Sequence, residues 1–188
     1  MLFRFIGWWR TNTAEDDMDF NQSMSLPMEH KLVKTPEGIR LTRMPVKEAE
    51  RLRSGKIYKA GNKTLKENSA NPLKDINIEL AEIHVEITPG KAKEVALNIR
   101  GVAVIYNVAA QQLVADGVKA PAPLQNGKLT LLIYADRTGL EIFANNGLMF
   151  MPVNINIDDS DRSLSLSVKG GTAKISSLEV YELKSIWQ

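Results

Sequence analysis

The stretch of sequence that decides the fold is LEIFANNGLMFMPVNINI, residues 140–157. Its centre, Asn145-Asn146-Gly147, is a strong hairpin signal, because asparagine and glycine accept the positive φ angles that tight turns between strands require. The apolar runs on either side therefore predict two paired strands, Leu140–Ala144 and Leu148–Ile157. Working outward, Leu129–Tyr134 has the same apolar, strand-forming character and predicts a third.

Short strand-like runs continue over most of the chain, separated by turn residues. This spacing is typical of an all-β protein, and we expect a β-sandwich of the jelly-roll or concanavalin-like type with two antiparallel sheets. One short helix is predicted over Val46–Arg53, where apolar residues recur three positions apart. The polar stretch Lys59–Asp75 and the Ala- and Pro-rich stretch Leu113–Gln125 are predicted to be loops.

Composition narrows the function classes. The 188 residues include no cysteine, which excludes disulfides, thiolate metal sites and a cysteine nucleophile. The formal net charge of +2, with acids and bases interspersed, gives no electrostatic reason to expect nucleic acid or an anionic membrane as a partner. We also find no signal peptide and no apolar run long enough to span a bilayer, so we expect a soluble protein and leave its compartment open.

The residues that usually carry chemistry are sparse. His30 and His84 each lack a second histidine or a carboxylate at ligand spacing, so we expect no metal and no cofactor. The acidic cluster Glu15–Asp17 is predicted to be an exposed loop, because adjacent carboxylates on a flexible loop cannot hold the fixed separation that glycoside hydrolysis needs. Asp158–Asp161 resembles a fragment of a calcium loop, but the glycine and the distal glutamate are absent, so it is predicted to be a solvated turn. We therefore assign no catalytic residue.

Aromatic side chains offer one route to ligand binding. Trp8 and Trp9 are neighbours on a predicted strand, so they point to opposite faces and cannot both enter one core. An exposed tryptophan is a stacking platform for a sugar ring, and Tyr106 is a further candidate. The alternative is that one tryptophan lies in the core and the other is covered by the acidic loop or by a partner chain.

The segment IYADRTGLEIFANNG, residues 133–147, resembles the signature stretch in the C-terminal β-sandwich of family 32 glycoside hydrolases, which include invertases, levanases and inulinases. Upstream, Ile6-Gly7-Trp8 and Phe20–Pro27 resemble the end of that family's catalytic propeller. The residues that carry the resemblance in the signature are Asp136, Arg137, Glu141, Phe143, Asn145 and Gly147.

The resemblance implies three parts: residues 1–45 as the remnant of the last propeller blade, residues 46–55 as a linker helix, and residues 56–188 as the sandwich. It also implies that Trp8 matches a tryptophan of the family's fructosyl pocket. The family's catalytic motifs Asn-Asp-Pro, Arg-Asp-Pro and Glu-Cys do not occur in these residues. We therefore expect no enzyme activity from these residues. The resemblance says little about the compartment, although members of the family are often secreted or periplasmic.

Three functions remain open at this point. The first is an accessory domain with a structural or self-association role, with a homodimer formed through residues 2–10. The second is a carbohydrate-binding module with a fructan or other glycan as its ligand. The third is one part of a split or truncated enzyme that has a β-propeller as its catalytic partner.

Overall fold

The computed structural model describes residues 3–5, 8–10, 22–155, 157–158 and 160–186, with the backbone alone for residues 3–5, 8–10, 22–23 and 56–57. The first strands form two small antiparallel sheets. They are β1 (Phe3–Phe5), β2 (Trp8–Arg10), β3 (Gln22–Met24), β4 (Met28–Thr35) and β5 (Gly38–Pro45). Strands β1, β4 and β5 form what we call the N-terminal sheet, in that order, and β2 pairs with β3.

A short helix, the linker helix, follows at Lys47–Leu52 and confirms that a helix lies in this region. It is a 3₁₀ helix of six residues, which is long for that tighter geometry. Ala49 is its buried residue, so it contributes little to any core. Within the described part of the chain, no helix has the length and apolar character needed to cross a membrane.

The remaining strands confirm the predicted β-sandwich, because they form two antiparallel sheets. The five-stranded sheet contains, in order, β11 (Val118–Pro121), β10 (Gln112–Ala115), β9 (Val102–Asn107), β8 (Glu94–Ile99) and β15 (Leu164–Lys169). The six-stranded sheet contains β14 (Met149–Asn154), β13 (Gly139–Ala144), β12 (Leu129–Ala135), β7 (Ala81–Thr88), β16 (Thr172–Leu183) and β6 (Arg53–Lys66).

The main core lies between the two sheets. On β7, Ile83, Val85 and Ile87 point inward and are almost completely buried, while the residues between them point to the outer face. Leu97 on β8 and Leu166 on β15 belong to the same apolar cluster. This alternation explains why the strands could be recognised from the sequence.

The predicted hairpin is confirmed. Strands β13 and β14 pair in antiparallel register from Gly139↔Asn154 to Ala144↔Met149. The turn between them has φ angles of 52° at Asn145, 55° at Asn146 and 82° at Gly147. These are the left-handed angles that the Asn-Asn-Gly sequence predicts.

Both predicted loops are wrong in part. Strand β6 continues to Lys66, well into the polar stretch, and β10 and β11 lie inside the Ala- and Pro-rich one. Strand β6 is at the edge of its sheet, where polar and lysine side chains are common because they discourage pairing with another chain. Its composition therefore resembles that of a loop.

The sandwich begins and ends at the same place. Leu183, the last residue of β16, pairs with Arg53, the first residue of β6. The Lys184 amide then donates a hydrogen bond to the Leu52 carbonyl, 2.7 Å away at the end of the linker helix. Entry to the sandwich and exit from it are thus joined directly.

The N-terminal sheet leaves one apolar face uncovered. Leu32 and Leu41 are directly paired across β4 and β5, and Ile39 lies two pairs further along, on the same face. These side chains are exposed to 72%, 37% and 70%, respectively. The opposite face of the sheet, which carries Thr42 and Met44, is turned toward the sandwich.

Candidate functional site: the junction between the N-terminal sheet and the sandwich

The N-terminal sheet docks on the outer face of the six-stranded sheet through a second apolar cluster, separate from the main core. We call this contact the junction. Met28 from β4, Ala49 from the linker helix, and Tyr134 and Phe143 from the sandwich are its buried members. The Phe143 ring stacks on Phe150, with 4.8 Å between ring centroids. The cluster is completed by partly buried apolar residues: Leu26, Met44, Leu132 and Leu183.

Gly147 joins the hairpin turn to the N-terminal sheet. The Arg43 amide of β5 donates a hydrogen bond of 2.9 Å to the Gly147 carbonyl. A Cβ atom at Gly147 would lie 2.2 Å from the Arg43 carbonyl oxygen, so the two backbones touch only because this residue has no side chain. Glycine is required here both by the positive φ and by the contact.

Glu141 lies inside the junction. It is only 9% exposed, and its Oε1 accepts a hydrogen bond of 2.8 Å from the Leu26 amide, on the segment that leads into β4. Its Oε2 is buried and has no hydrogen-bond partner in the described part of the chain. Burial raises the pKa of Glu141 to about 7, although the Leu26 hydrogen bond acts in the opposite direction.

A buried ion pair fixes the point where the linker helix enters the sandwich. The Arg53 guanidinium donates two hydrogen bonds to the Glu82 carboxylate and lies 4.2 Å above the ring of Tyr181. Glu82 is 1% exposed. Burial opposes its ionisation, but hydrogen bonds from Arg53 and His84, together with their charges, outweigh burial and lower the pKa of Glu82 to about 2.

The prediction that His84 has no carboxylate partner is wrong. Its Nε2 is in hydrogen-bond contact with Glu82, two residues earlier on the same face of β7, and its ring packs edge-on against Tyr181. This two-residue spacing on one strand was a signal available in the sequence. Among the described residues, no three histidine or acidic side chains come together as a possible metal site.

The signature residues divide into two groups. Glu141, Phe143 and Gly147 face the N-terminal sheet, as described above. The others brace loops: the Asp136 carboxylate accepts a hydrogen bond from the Arg137 amide, and Arg137 Nε donates to Glu79 at 2.6 Å. Asn145 Nδ2 donates to the Pro123 carbonyl at 2.7 Å. The signature therefore encodes a docking surface and its support.

Of the three candidate stacking residues, only Tyr106 has a described side chain. Trp8 and Trp9 lie on β2, paired with Met24 and Ser23, and their side chains lie outside the described residues. The expectation for Tyr106 is wrong, because its side chain is 1% exposed and its hydroxyl donates a hydrogen bond to the Ala122 carbonyl. A ring in that position has no face open to a sugar.

A groove of about 440 Å³ runs between the N-terminal sheet and the rim of the sandwich. Its described lining provides hydrogen-bonding groups from Lys31, Thr42, Gln125 and Asn146, and it includes no aromatic side chain among the residues that the structure describes. It can therefore offer polar contacts to hydroxyl groups without a stacking surface. Neither Glu82 nor Glu141 lines this groove.

The acidic loop behaves as a turn in its described residues. The Asp158 carboxylate accepts hydrogen bonds from the amide and hydroxyl of Ser160. Asp159 and the cluster Glu15–Asp17 lie outside the described residues.

Sequence reasoning missed Arg100, which is 2% exposed at a positive φ of 50°. Its guanidinium donates to the backbone carbonyls of Glu79, Asp158 and Asp161, and so anchors loops at one end of the sandwich.

Comparison with known proteins places these features in context. The family model described as "Glycosyl hydrolases family 32 C terminal" matches residues 48–182. A levanase from Bacillus subtilis (strain 168) is 30% identical over 97% of this chain and 31% of its own length. A levanase from Bacillus sp. (strain L7) is 27% identical over 88% of this chain and 20% of its own length. The chain thus spans a third or less of these relatives.

Among solved structures, an exo-inulinase from Aspergillus awamori superposes with a TM-score of 0.85 at 22% sequence identity. The match covers 98% of this chain and 41% of the exo-inulinase chain. It therefore includes both the N-terminal sheet and the sandwich, and it supports the fold described above.

The Gly147 contact can be tested with a matched pair of glycines. Gly147 and Gly117 have similar φ angles of 82° and 75°, but a Cβ at Gly117 would meet nothing within 4 Å. We expect Gly117→Ala to lower the free energy of unfolding by about 1 kcal/mol, the cost of a left-handed alanine. Gly147→Ala should cost at least about 1 kcal/mol more, and it should speed hydrogen exchange at the Arg43 amide. Equal losses in urea denaturation would contradict the contact.

The Glu82 ion pair predicts a loss of stability in acid. Because the pKa of Glu82 is lowered from 4.5 to about 2 in the folded chain, its contribution is present above pH 4.5 and is lost as the pH falls toward 2. We expect wild type to lose up to about 3 kcal/mol over this window, measured by denaturation at fixed pH values. The free energy of unfolding of Glu82→Gln should lack this decrease between pH 4.5 and pH 2.

Glu86→Gln is the control, since Glu86 bonds to Lys128 at the exposed edge of the same strand. Arg53→Met alone should be less stable than Arg53→Met combined with Glu82→Gln, because the single change leaves the buried Glu82 carboxylate without its guanidinium partner. An acid profile for Glu82→Gln identical to that of wild type would contradict the assignment.

Proposed function

Because the chain belongs to glycosyl hydrolase family 32 through the family's C-terminal domain, we propose that it is a non-catalytic accessory β-sandwich that holds the last blade of a catalytic β-propeller. The observation that carries the proposal is the direction of the signature residues. Phe143 and Gly147 contact the N-terminal sheet, and Glu141 contacts the segment that leads into β4. A sandwich built this way orients a neighbouring sheet.

The two buried carboxyl groups favour a structural role over catalysis. A carboxyl whose pKa is raised to about 7, such as Glu141, is often a catalytic acid. Here, however, its Oε1 is occupied by the Leu26 amide, and its surroundings are the side chains of the junction. Glu82 is occupied by Arg53. Retaining hydrolysis needs two carboxyls about 5 Å apart on either side of the sugar bond, and neither group is placed for that.

The uncovered face of the N-terminal sheet supports a propeller as the partner. Leu32, Ile39 and Leu41 form an exposed apolar strip, beyond the point where Met28, on the same face of β4, is buried in the junction. Blades of a propeller pack face to face, so this is the face that a preceding blade would cover. The relatives are named for levan and fructan, and we propose a fructan-hydrolysing propeller as the partner, encoded with this chain or apart from it.

The same strip supports self-association when no propeller is present. Strand β1 is at the edge of the N-terminal sheet, and edge strands with apolar surroundings pair readily with other chains. We propose that the isolated chain forms a homodimer through this sheet, including residues 2–10. A fructan-binding role has weaker support, since the groove beside the sheet has no aromatic lining.

Residues 1–188 alone should release no fructose from sucrose, levan or inulin, because no acid and nucleophile pair faces a cleft in the described part of the chain and the family's three catalytic motifs do not occur in the sequence. The measurement is reducing-sugar release over a day, with a family 32 levanase as the positive control. Release above the blank, after a contaminating enzyme is excluded, would overturn the non-catalytic assignment.

Self-association should depend on the apolar strip. We expect the isolated chain to show concentration-dependent dimerisation by sedimentation velocity, and Leu32→Glu combined with Ile39→Glu to be monomeric. Val118→Glu is the matched control, because Val118 is also exposed, at 42%, but lies on the edge strand β11 of the sandwich. A variant lacking residues 2–10 tests the contribution of β1. A monomeric wild type at all concentrations would contradict the proposal.

A further inference from the structure

Glu141 is a buried acid at the contact between two parts of the chain. Its neighbours across the sheet are Tyr134 on β12 and Pro152 on β14. Above it lies the segment that leads into β4, whose Leu26 amide donates to Oε1. The second oxygen, Oε2, is enclosed and has no hydrogen-bond partner among the described residues. An ionised carboxylate in this position would keep one hydrogen bond and lose the water that would otherwise solvate the other oxygen.

Among the described residues, the groups that act on Glu141 do not supply a positive charge. The Asp136 carboxylate, just after β12, opposes ionisation, and burial keeps the pKa of the Tyr134 hydroxyl far above neutrality, so that this group is uncharged. From the N-terminal segment come the Leu26 amide and Ser25, whose hydroxyl donates to the Leu26 carbonyl. The interactions that set the proton affinity of Glu141 are therefore burial, one backbone hydrogen bond and a like charge.

We propose that Glu141 is a proton-dependent latch: as a neutral acid it keeps the N-terminal sheet docked on the sandwich, and its ionisation loosens the junction. The signal is the proton: its binding to Glu141 favours the contact between Leu26 and β13. This inference rests on the proposed role of the junction as a docking surface, but it concerns how that docking responds to pH.

The direction of the pH dependence follows from the linkage between proton binding at Glu141 and closure of the junction. The pKa of Glu141 is raised from 4.5 to about 7 when the junction is closed, so the closed form binds more protons than the open form between these pH values. Closure is therefore fully favoured below pH 4.5, weakens as the pH rises through this window, and changes little above pH 7. Over pH 5 to 8, the opening equilibrium should increase on the order of tens of fold.

The experiment follows the Leu26 amide and the Glu141 carboxyl in the full chain by NMR. We expect the carboxyl to titrate near pH 7, and the protection of the Leu26 amide against hydrogen exchange, corrected for the intrinsic rate, to fall by tens of fold from pH 5 to 8. The amide of Val95, on β8 in the other sheet, should keep its protection.

Glu141→Gln keeps the shape and an acceptor for the Leu26 amide but cannot ionise, so its Leu26 protection should be independent of pH. Asp136→Asn removes the like charge and should move the transition to lower pH. Glu86→Gln, the same change outside the junction, should behave as wild type. A Glu141 carboxyl that titrates near 4.5 in wild type would overturn the latch whether or not the variants fold.

Loss of Leu26 protection with the same pH dependence in Glu141→Gln would also overturn it. Both measurements use this chain alone, so their failure would leave the proposed propeller docking untouched. Conversely, a chain that fails to dock on any propeller could still show the titration and the exchange behaviour.

Discussion

The structure depends on the docking of one sheet against the back of another. The outer face of the six-stranded sheet is covered around β12 and β13: Tyr134 and Phe143 point away from the main core and pack with Met28 and Ala49. An antiparallel sheet usually buries one face and exposes the other. Because β12 and β13 bury side chains on both faces, they require a partner on the outside, and the N-terminal sheet is that partner in this chain.

This requirement explains which features could be predicted from the sequence. The hairpin at Asn145–Gly147 follows from local turn chemistry, and the strands of the main core follow from alternation, as on β7. Residues whose role depends on distant contacts could not be assigned in the same way. The sequence indicates that Glu141 and Phe143 belong to a signature, but it does not indicate that both face Leu26 and Met28.

The wrong predictions also concern residues whose positions depend on contacts with distant parts of the chain. From the sequence we expect Tyr106 to be open to a ligand, yet its hydroxyl donates to the Ala122 carbonyl and its ring lies in the core. Strand β6 looks like a loop because its polar residues suit an edge, and its edge position is fixed by pairing with β16, more than a hundred residues later.

The two buried carboxyls show a further limit: Glu82 and Glu141 share one sheet face, but Arg53 lowers the pKa of Glu82 and burial raises the pKa of Glu141. The contribution of Glu82 to stability therefore increases as the pH rises from 2 to 4.5, whereas the contribution of Glu141 decreases as the pH rises from 4.5 to 7.

The place where the sandwich begins and ends has a consequence for how the family's parts can be combined. Arg53 and Leu183 are paired, and the hydrogen bond from Lys184 to Leu52 closes the loop between them. A unit whose two termini are adjacent occupies a single attachment point, as domains that tolerate insertion and permutation do. The sandwich is therefore a transferable unit. Joining it to another protein would require a complementary surface only at the outer face of its six-stranded sheet and at the one site where its two ends meet.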